Sequence, residues 1–267
     1  MFSRELVKLF SSIEQAIGSD KIFSKLLVNA TNSHDSITEQ YMHCAVNLFS
    51  PELNHKSWNQ SLQFSIHIAP EKNLAVGFRK ERFNRFVYLC GVILYLDPFI
   101  WSFLSKYEHV TNNLACIVRA FEDVEFLKVH LAVGALIGIH LVEPFLSLTP
   151  SSKVDYGKLT TSMKQLYLDL TTTKPEMLLD VSKPAFGFVS KERFDSCKYS
   201  AEIVSAVKTV VGDWLRDSTD RELMCLVLET LTQTALCLFP IKIRPIYSKH
   251  LLITLPLKDM LVLSTMN

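Results

Sequence analysis

The sequence predicts a mainly α-helical protein with two lobes and a few short β elements. Apolar residues recur every three or four positions along much of the 267-residue chain, which is the spacing of an amphipathic helix. Two segments, Ser36-Ile37-Thr38-Glu39 and Thr219-Asp220-Arg221-Glu222, match the capping box that opens a helix. A third signal is Gly18, which follows the apolar periodicity of residues 3–17 and marks the end of a first helix.

The remaining helices follow from the same spacing and from their end signals. Asp97-Pro98 places an N-cap residue before a proline at the first helical position. One helix is therefore expected to end near Leu96 and the next to begin there. The other helices are expected at 20–30; from Ser36, with Tyr41, Cys44, Ala45 and Leu48 on one side; at 113–126; at 128–142; at 191–216; and from Thr219 to about Leu238.

A few segments have the two-residue period of a strand. Residues 62–68, LQFSIHI, place Leu, Phe, Ile and Ile on one side and Gln, Ser and His on the other, which predicts a half-buried strand. Residues 241–246 and 250–257 also favour strands, although Pro245 and Pro256 restrict them to sheet edges or loops. The pattern of residues 166–170, LYLDL, is ambiguous.

The strongest internal boundary is residues 147–157, SLTPSSKVDYG, which are rich in Ser, Thr, Pro and Gly. It divides the chain into a helical N-terminal lobe, residues 1–148, and a helical C-terminal lobe with a β-leaning tail, residues 153–267. The tripeptides Asp97-Pro98-Phe99 and Glu143-Pro144-Phe145 lie 46 residues apart. This spacing is typical of HEAT-like helix pairs, although two copies do not define a solenoid.

The tetrapeptide Lys-Glu-Arg-Phe occurs at 80–83 and again at 191–194, each time shortly after Gly-Phe. The similarity extends to Ala75 and Ala185 and to Tyr88 and Tyr199, which is more agreement than chance provides. It indicates two related units, each with an extended segment, a Gly-Phe turn and a helix that begins at this tetrapeptide. We interpret the motif as a recurring helix start, with a duplicated binding loop as the alternative.

Composition limits the classes of function. With 28 basic and 27 acidic residues the net charge is +1, so no overall field attracts nucleic acid or an anionic membrane. The six cysteines form no C-x-x-C pair and several lie in apolar runs, which predicts buried thiols in the cytoplasm or nucleus. Pairs of possible metal ligands lack a third member at a recognisable spacing, and no catalytic or phosphate-binding motif is present. No enzymatic activity, cofactor or metal is expected.

One short segment is strongly basic. Arg79, Lys80, Arg82 and Arg85 lie beside aromatic residues at the start of a predicted helix, where they could bind a nucleic acid or another anionic partner. The second copy of the motif lacks this charge. A solvated helix face with its aromatic residues in the core is the simpler interpretation.

Three apolar stretches, 86–104, 130–142 and 223–239, approach the composition of membrane spans. Each carries or adjoins a charged residue, and the second is too short to cross a bilayer. Gly134 and Gly138 have the G-x-x-x-G spacing that lets two helices approach closely. We expect buried core helices and no transmembrane segment, and we leave open peripheral contact with a membrane.

These observations favour a non-enzymatic protein–protein interaction or scaffold module. The chain combines 48% apolar residues and a mean hydropathy of +0.19 with an absence of catalytic motifs, so part of its apolar surface is expected to form an interface. The alternative is binding of nucleic acid or an anionic partner through residues 79–85.

Overall fold

The fold was analysed in a computed structural model that describes residues 8, 10–11, 36–51, 58–76, 83–110, 112–121, 125–148, 156–172, 174–196 and 199–214. Within these ranges every regular element is helical, so the prediction of a mainly α-helical protein is confirmed. The predicted strands at 241–246 and 250–257 and the helix from Thr219 lie outside the described residues. So does the helix predicted at 20–30.

Nine α-helices are described, together with two short 3₁₀ turns and one π-helical turn. The α-helices are α1 (Ile37–Phe49), α2 (Trp58–His67), α3 (Phe83–Lys106), α4 (Asn113–Ala120), α5 (Glu125–Ile137), α6 (Glu143–Ser147), α7 (Tyr156–Thr172), α8 (Lys191–Asp195) and α9 (Ala201–Trp214). The 3₁₀ turns span Pro70–Lys72 and Pro175–Leu179, and the π-turn spans Gly138–Val142.

The helix start predicted from the capping-box pattern at Ser36 is confirmed, with Ser36 as the N-cap. The Ser36 hydroxyl accepts a hydrogen bond from the backbone N–H of Glu39 at 3.1 Å, and α1 begins at the next residue. Tyr41, Ala45 and Leu48 are buried as their helical spacing predicts. The cap pairs one of the N–H groups that have no partner within the helix. Because this hydrogen bond is local, residues 36–39 were sufficient to predict where α1 begins.

Helices α3 and α5 form the centre of the structure. They pack most extensively against each other, and α9 packs against both. The contact between α3 and α5 is close at Gly134, where an added Cβ atom would lie 2.5 Å from Sγ of Cys90 on α3. A Cβ atom added to Gly91 of α3 would lie 2.7 Å from Cγ2 of Ile203 on α9, so that contact is close as well. The close approach predicted from the G-x-x-x-G spacing is therefore present inside the core.

At Gly138, the second glycine of that motif, the neighbouring side chain is that of Tyr199. The phenol of Tyr199 lies directly against Gly138, where a Cβ atom would collide with the hydroxyl oxygen. Tyr199 is buried, and its hydroxyl has no hydrogen-bond partner among the described residues. The Tyr199 side chain, just before α9, is thus positioned by van der Waals packing against Gly138.

The prediction of a strand near 62–68 is wrong, because residues 62–67 belong to α2 and Ile68 directly follows it. Ser61, Phe64 and Ile68 are buried, and their spacing of three and four residues is that of one helix face. Leu62 and Ile66, which a strand would place beside Phe64, are exposed. Two of the four alternating apolar residues face the core and two face solvent.

The predicted break at Asp97-Pro98 is also wrong, since α3 continues through Pro98 to Lys106. Leu96, Ile100 and Phe103 are all buried, so one apolar face runs past the proline without interruption. Asp97 does not act as a helix cap. Its carboxylate accepts a hydrogen bond from Trp101 Nε1 at 2.8 Å and lies 3.3 Å from the Lys128 ammonium. Packing on both sides of the proline outweighs its local preference for a helix start.

The predicted helix at 191–216 is two helices, α8 and α9. The second copy of the repeated tetrapeptide does begin a helix: Ser190 caps α8, and its hydroxyl accepts a hydrogen bond from the Arg193 N–H at 3.4 Å. A new cap follows, in which the Ser200 hydroxyl accepts from Ile203 N–H at 3.3 Å. The interruption is the place where Tyr199 turns inward.

Other predicted boundaries shift as well. The helix predicted at 113–126 ends at Ala120, and the one predicted at 128–142 begins at Glu125 and passes into the π-turn after Ile137. Residues 62–67 and 166–170 are helical, in α2 and α7, so the alternating segments expected to be extended upstream of the two tetrapeptides are not strands. The start of the first tetrapeptide, residues 80–82, and residues 149–155 of the predicted boundary lie outside the described residues.

Within the part of the chain that the structure describes, two stretches are long and apolar enough to cross a membrane, Arg85–Lys106 and Leu127–Ser147. In their most apolar windows 61% and 83% of the residues are buried inside the structure. Core helices of a folded domain have the same length and composition, and the contacts between α3 and α5 account for this burial.

Adding a methyl group at residue 138 tests the packing of Tyr199 against Gly138. We expect Gly138→Ala to lower the free energy of unfolding by about 1–3 kcal/mol, because the new methyl group overpacks a closed contact. Adding Tyr199→Phe should recover part of this loss, since it removes the colliding oxygen. Gly212→Ala is the matched control, because a Cβ atom there meets nothing within 4 Å. Urea unfolding of the three variants provides the measurement; equal losses at Gly138 and Gly212 would contradict the assignment.

Replacing Pro98 tests the continuity of α3. Pro98 is exposed and cannot donate to the carbonyl of Leu94. We expect Pro98→Ala to raise the free energy of unfolding by about 1–3 kcal/mol, because alanine restores the N–H and favours the helix. Thermal and urea unfolding measure the change. A loss of stability would show that the chain needs the proline as a helix boundary after all.

Candidate functional site

The outer face of α2 exposes three large apolar side chains in a line. Trp58, Leu62 and Ile66 are 54%, 48% and 74% exposed. A spacing of four residues places them along one side of the helix, over about 12 Å. We call these three residues the α2 stripe.

The α2 stripe lies on a helix without a single charged residue. The ten residues of α2, WNQSLQFSIH, include no Asp, Glu, Lys or Arg. A helix on the surface of a globular domain ordinarily carries charged residues on its outer face. Depletion of charge combined with an exposed aromatic residue is the composition found at the centre of protein–protein interfaces.

The opposite face of α2 is firmly attached to the core. The ring of Phe64 packs 4.4 Å from that of Phe49 and 6.0 Å from that of Phe103, measured between centroids. The Ser61 hydroxyl donates to the carbonyl of Leu48 at 3.1 Å and also lies 3.4 Å from the carbonyl of Ser50. These contacts fix the rotation of α2 about its axis, so the stripe is presented in one orientation.

The alternating pattern of residues 62–68 does not predict the stripe. It predicts a strand with Leu62 and Ile66 on the inner side, together with Phe64. A signal was available nonetheless, since Trp58, Leu62 and Ile66 have a four-residue spacing in a segment without charges. That spacing alone does not say which side of the helix faces outward.

The basic candidates are not brought together within the part of the chain that the structure describes. Arg79, Lys80 and Arg82 lie outside it. Arg85 is in the first turn of α3 and is half-buried, and Phe86 beside it is buried as expected. Binding of nucleic acid or an anionic partner through residues 79–85 therefore stays a prediction.

His140 is the most perturbed histidine of the described core. It is buried in the π-turn, and its ring stacks on that of Phe194 from α8 at 5.6 Å between centroids. Neither ring nitrogen has a well-aligned hydrogen bond to the rest of the described chain. Burial lowers the pKa of His140 to about 4, against the opposing effects of the Leu178 backbone and the charge of Asp180. The imidazole is therefore neutral at pH 7.

Other titratable groups in the core are also held in their neutral forms. Burial raises the pKa of Tyr199, and the nearby Cys90, Glu143 and Tyr88 raise it further. Burial raises the pKa of the Cys90 thiol and brings that of Cys44 to about 11. A thiol that stays protonated at pH 7 is a poor nucleophile. These perturbed pKa values reflect packing.

Comparison with protein-family models, with curated proteins and with solved structures finds no match for this chain. Among the described residues, no three His, Cys, Asp or Glu side chains gather closely enough to hold a metal ion. The α2 stripe is therefore interpreted from its own chemistry, as an exposed apolar surface on a rigid support.

His140 makes a testable contribution to the pH dependence of stability. Its pKa is about 4 in the folded protein and 6.5 in the unfolded chain, so below pH 6.5 the unfolded state binds a proton that the folded state does not. Stability should therefore fall as the pH decreases from 6.5 to 4, by about 3 kcal/mol for this residue alone.

His140→Leu should remove that contribution. We expect the free energy of unfolding of the variant to change less between pH 6.5 and 4 than that of the wild type, whatever its value at pH 7. Urea unfolding at a series of pH values measures both slopes. Identical slopes would show that His140 is not buried in its neutral form.

Proposed function

We propose that this protein is a non-enzymatic protein–protein interaction or scaffold module that binds an apolar helical segment of another protein through the α2 stripe. The observation that carries the proposal is the uncharged outer face of α2 with its three exposed apolar side chains. Exposed patches of this kind on a stable support are typical of interaction sites.

The size of the stripe favours a helical partner. Three large side chains over about 12 Å match two to three turns of a second helix, whose apolar residues recur at the same spacing. The stripe is a narrow row, so it suits the centre of an interface that polar neighbours complete. Asn59, Gln63 and Ser65 lie beside it and offer uncharged hydrogen-bonding groups for such a rim.

The charge of α2 supports a partner held by apolar contact. Because the helix carries no ionic group, binding through it should depend little on salt concentration. Nucleic-acid binding through residues 79–85 would instead weaken steeply as salt increases. Salt dependence therefore separates the leading proposal from its alternative.

A non-enzymatic role is supported by the position of the side chains whose pKa values are shifted. His140 and Tyr199 lie in the packed interior, away from the exposed face of α2. The described cysteines, Cys44, Cys90 and Cys116, form no disulfide bond, which suits the proposed location in the cytoplasm or nucleus.

The proposal also includes the arrangement of the helices into lobes and pairs. We infer two lobes of HEAT-like helix pairs, divided near residues 148–153, with the repeated Lys-Glu-Arg-Phe segments as corresponding parts. The contact between the consecutive helices α1 and α2 supports one such pair. In this arrangement α9, which contacts α3 and α5, would join the second lobe to the first.

Partner capture from the protein's own cells tests the function. We expect the triple variant Trp58→Ser, Leu62→Ser, Ile66→Ser to lose specifically captured proteins, with at least about 30-fold weaker binding once a partner is identified, because exposed tryptophans are frequent hot spots. The stability of the variant should change little, since all three side chains are already exposed.

The control is a double variant at two other exposed apolar residues, Leu168→Ser with Met177→Ser. It should capture the same proteins as the wild type, and capture should persist from low to moderate salt. Equal capture by the stripe variant and the wild type would refute the proposal. Loss of capture on raising the salt concentration would favour the basic segment instead.

A further inference from the structure

His140 lies where the core meets residues 175–195, which contain the 3₁₀ turn at Pro175–Leu179 and α8. We call these residues the 175–195 segment. The imidazole is 0% exposed. Its ring stacks on that of Phe194 of α8, with 5.6 Å between centroids and 21° between planes. The backbone of Leu178, in the 3₁₀ turn, makes a poorly aligned hydrogen bond to it. Both ends of the segment therefore contact this one side chain.

The regular elements of the 175–195 segment make only small contacts with the core helices. The 3₁₀ turn packs on α5 and α8 packs on α6, and both contacts are much less extensive than that between α3 and α5. The Phe188 N–H donates to the Asp169 carboxylate at 3.0 Å, which ties the segment to α7. A segment with few contacts to the rest of a structure opens at a lower free energy than the whole molecule unfolds.

The acid that acts on His140 is already paired elsewhere. The charge of Asp180 favours the imidazolium, but this carboxylate accepts a hydrogen bond from the Ser182 N–H at 3.1 Å and lies 3.1 Å from the Lys183 ammonium. Asp180 therefore offsets only part of the cost of a proton on the buried ring.

The other ionisable groups on the packed elements do not form an ion pair with His140. Those near Gly138 act on Tyr199; they are Tyr88 and Cys90 on α3 and Glu143 on α6. Those of α8 are exposed: Lys191, Glu192, Arg193 and Asp195. Those of α5 lie in its first two turns, remote from the π-turn: Glu125, Lys128 and His130.

We propose that the 175–195 segment is an acid-sensitive switch, which opens from the core when His140 takes up a proton. In the closed form an imidazolium would lie between Phe194 and Leu178, where burial disfavours the charge. In the open form water solvates the charge, so protonation favours opening. Opening would expose Leu178 and Phe194, both of which are buried in the closed form. The switch shares no residue with the α2 stripe, so it stands independently of the proposed function.

Hydrogen exchange followed by mass spectrometry tests the switch in the full chain, with rates corrected for the intrinsic effect of pH. We expect the opening constant of amides in the 175–195 segment to rise about 25-fold from about pH 7.5 to about pH 5. The open form, in which the pKa of His140 is 6.5, binds a proton there that the closed form, in which the pKa is about 4, does not.

His140→Leu should reduce this rise to less than about threefold, whatever the opening constant at neutral pH. His140→Phe, which keeps an aromatic ring against Phe194, is the second variant should the leucine variant fold poorly. The matched control is His109→Gln. His109 is exposed, and its ring contacts that of Tyr107, so this variant should keep the full rise.

Two results would overturn the proposal. One is the same rise in His140→Leu and the wild type, which would assign the pH dependence to other groups. The other is exchange in the 175–195 segment that is as slow as that of the slowest amides of α3 and α5 at both pH values. The segment would then open only when the whole chain unfolds.

Discussion

The close contact between α3 and α5 determines the arrangement of the other described elements. Three glycines, Gly91, Gly134 and Gly138, remove side chains where a neighbour approaches, and Cys90, Ile203 and Tyr199 fill the space. Close approach increases the number of atoms in van der Waals contact, which stabilises the core. Because Tyr199 and Ile203 lie at the start of α9 and pack on Gly138 and Gly91, these glycines also position the C-terminal part of the described chain.

Packing at this density leaves polar atoms inside. The Tyr199 hydroxyl and both ring nitrogens of His140 are buried, and burial keeps both side chains neutral. A buried polar atom without a partner costs free energy, so the Tyr199 hydroxyl reduces the stability that the apolar contacts provide. The π-turn that contains His140 begins at Gly138, against which Tyr199 packs. The irregular backbone of the π-turn therefore lies beside this buried hydroxyl.

A rigid interior holds the surface features on fixed supports. The α2 stripe is held by Phe64 and Ser61 on the opposite face of its helix. Because α2 carries no charged residue, its exposed face presents only apolar and uncharged polar groups.

The sequence by itself determined that the described part of the chain is mainly helical and where several helices begin, as after Ser36 and at Lys191, because capping hydrogen bonds and apolar spacing act within a few residues. The α2 stripe was not predictable in this way. Residues 62–68 fit both a strand and a helix, and only contact with Phe49 and Phe103 turns Phe64 inward and leaves Leu62 and Ile66 outside. Pro98 likewise remains within α3 because buried residues on both sides continue one face. Tertiary structure alone decided these points, since burial depends on neighbours that are distant along the chain.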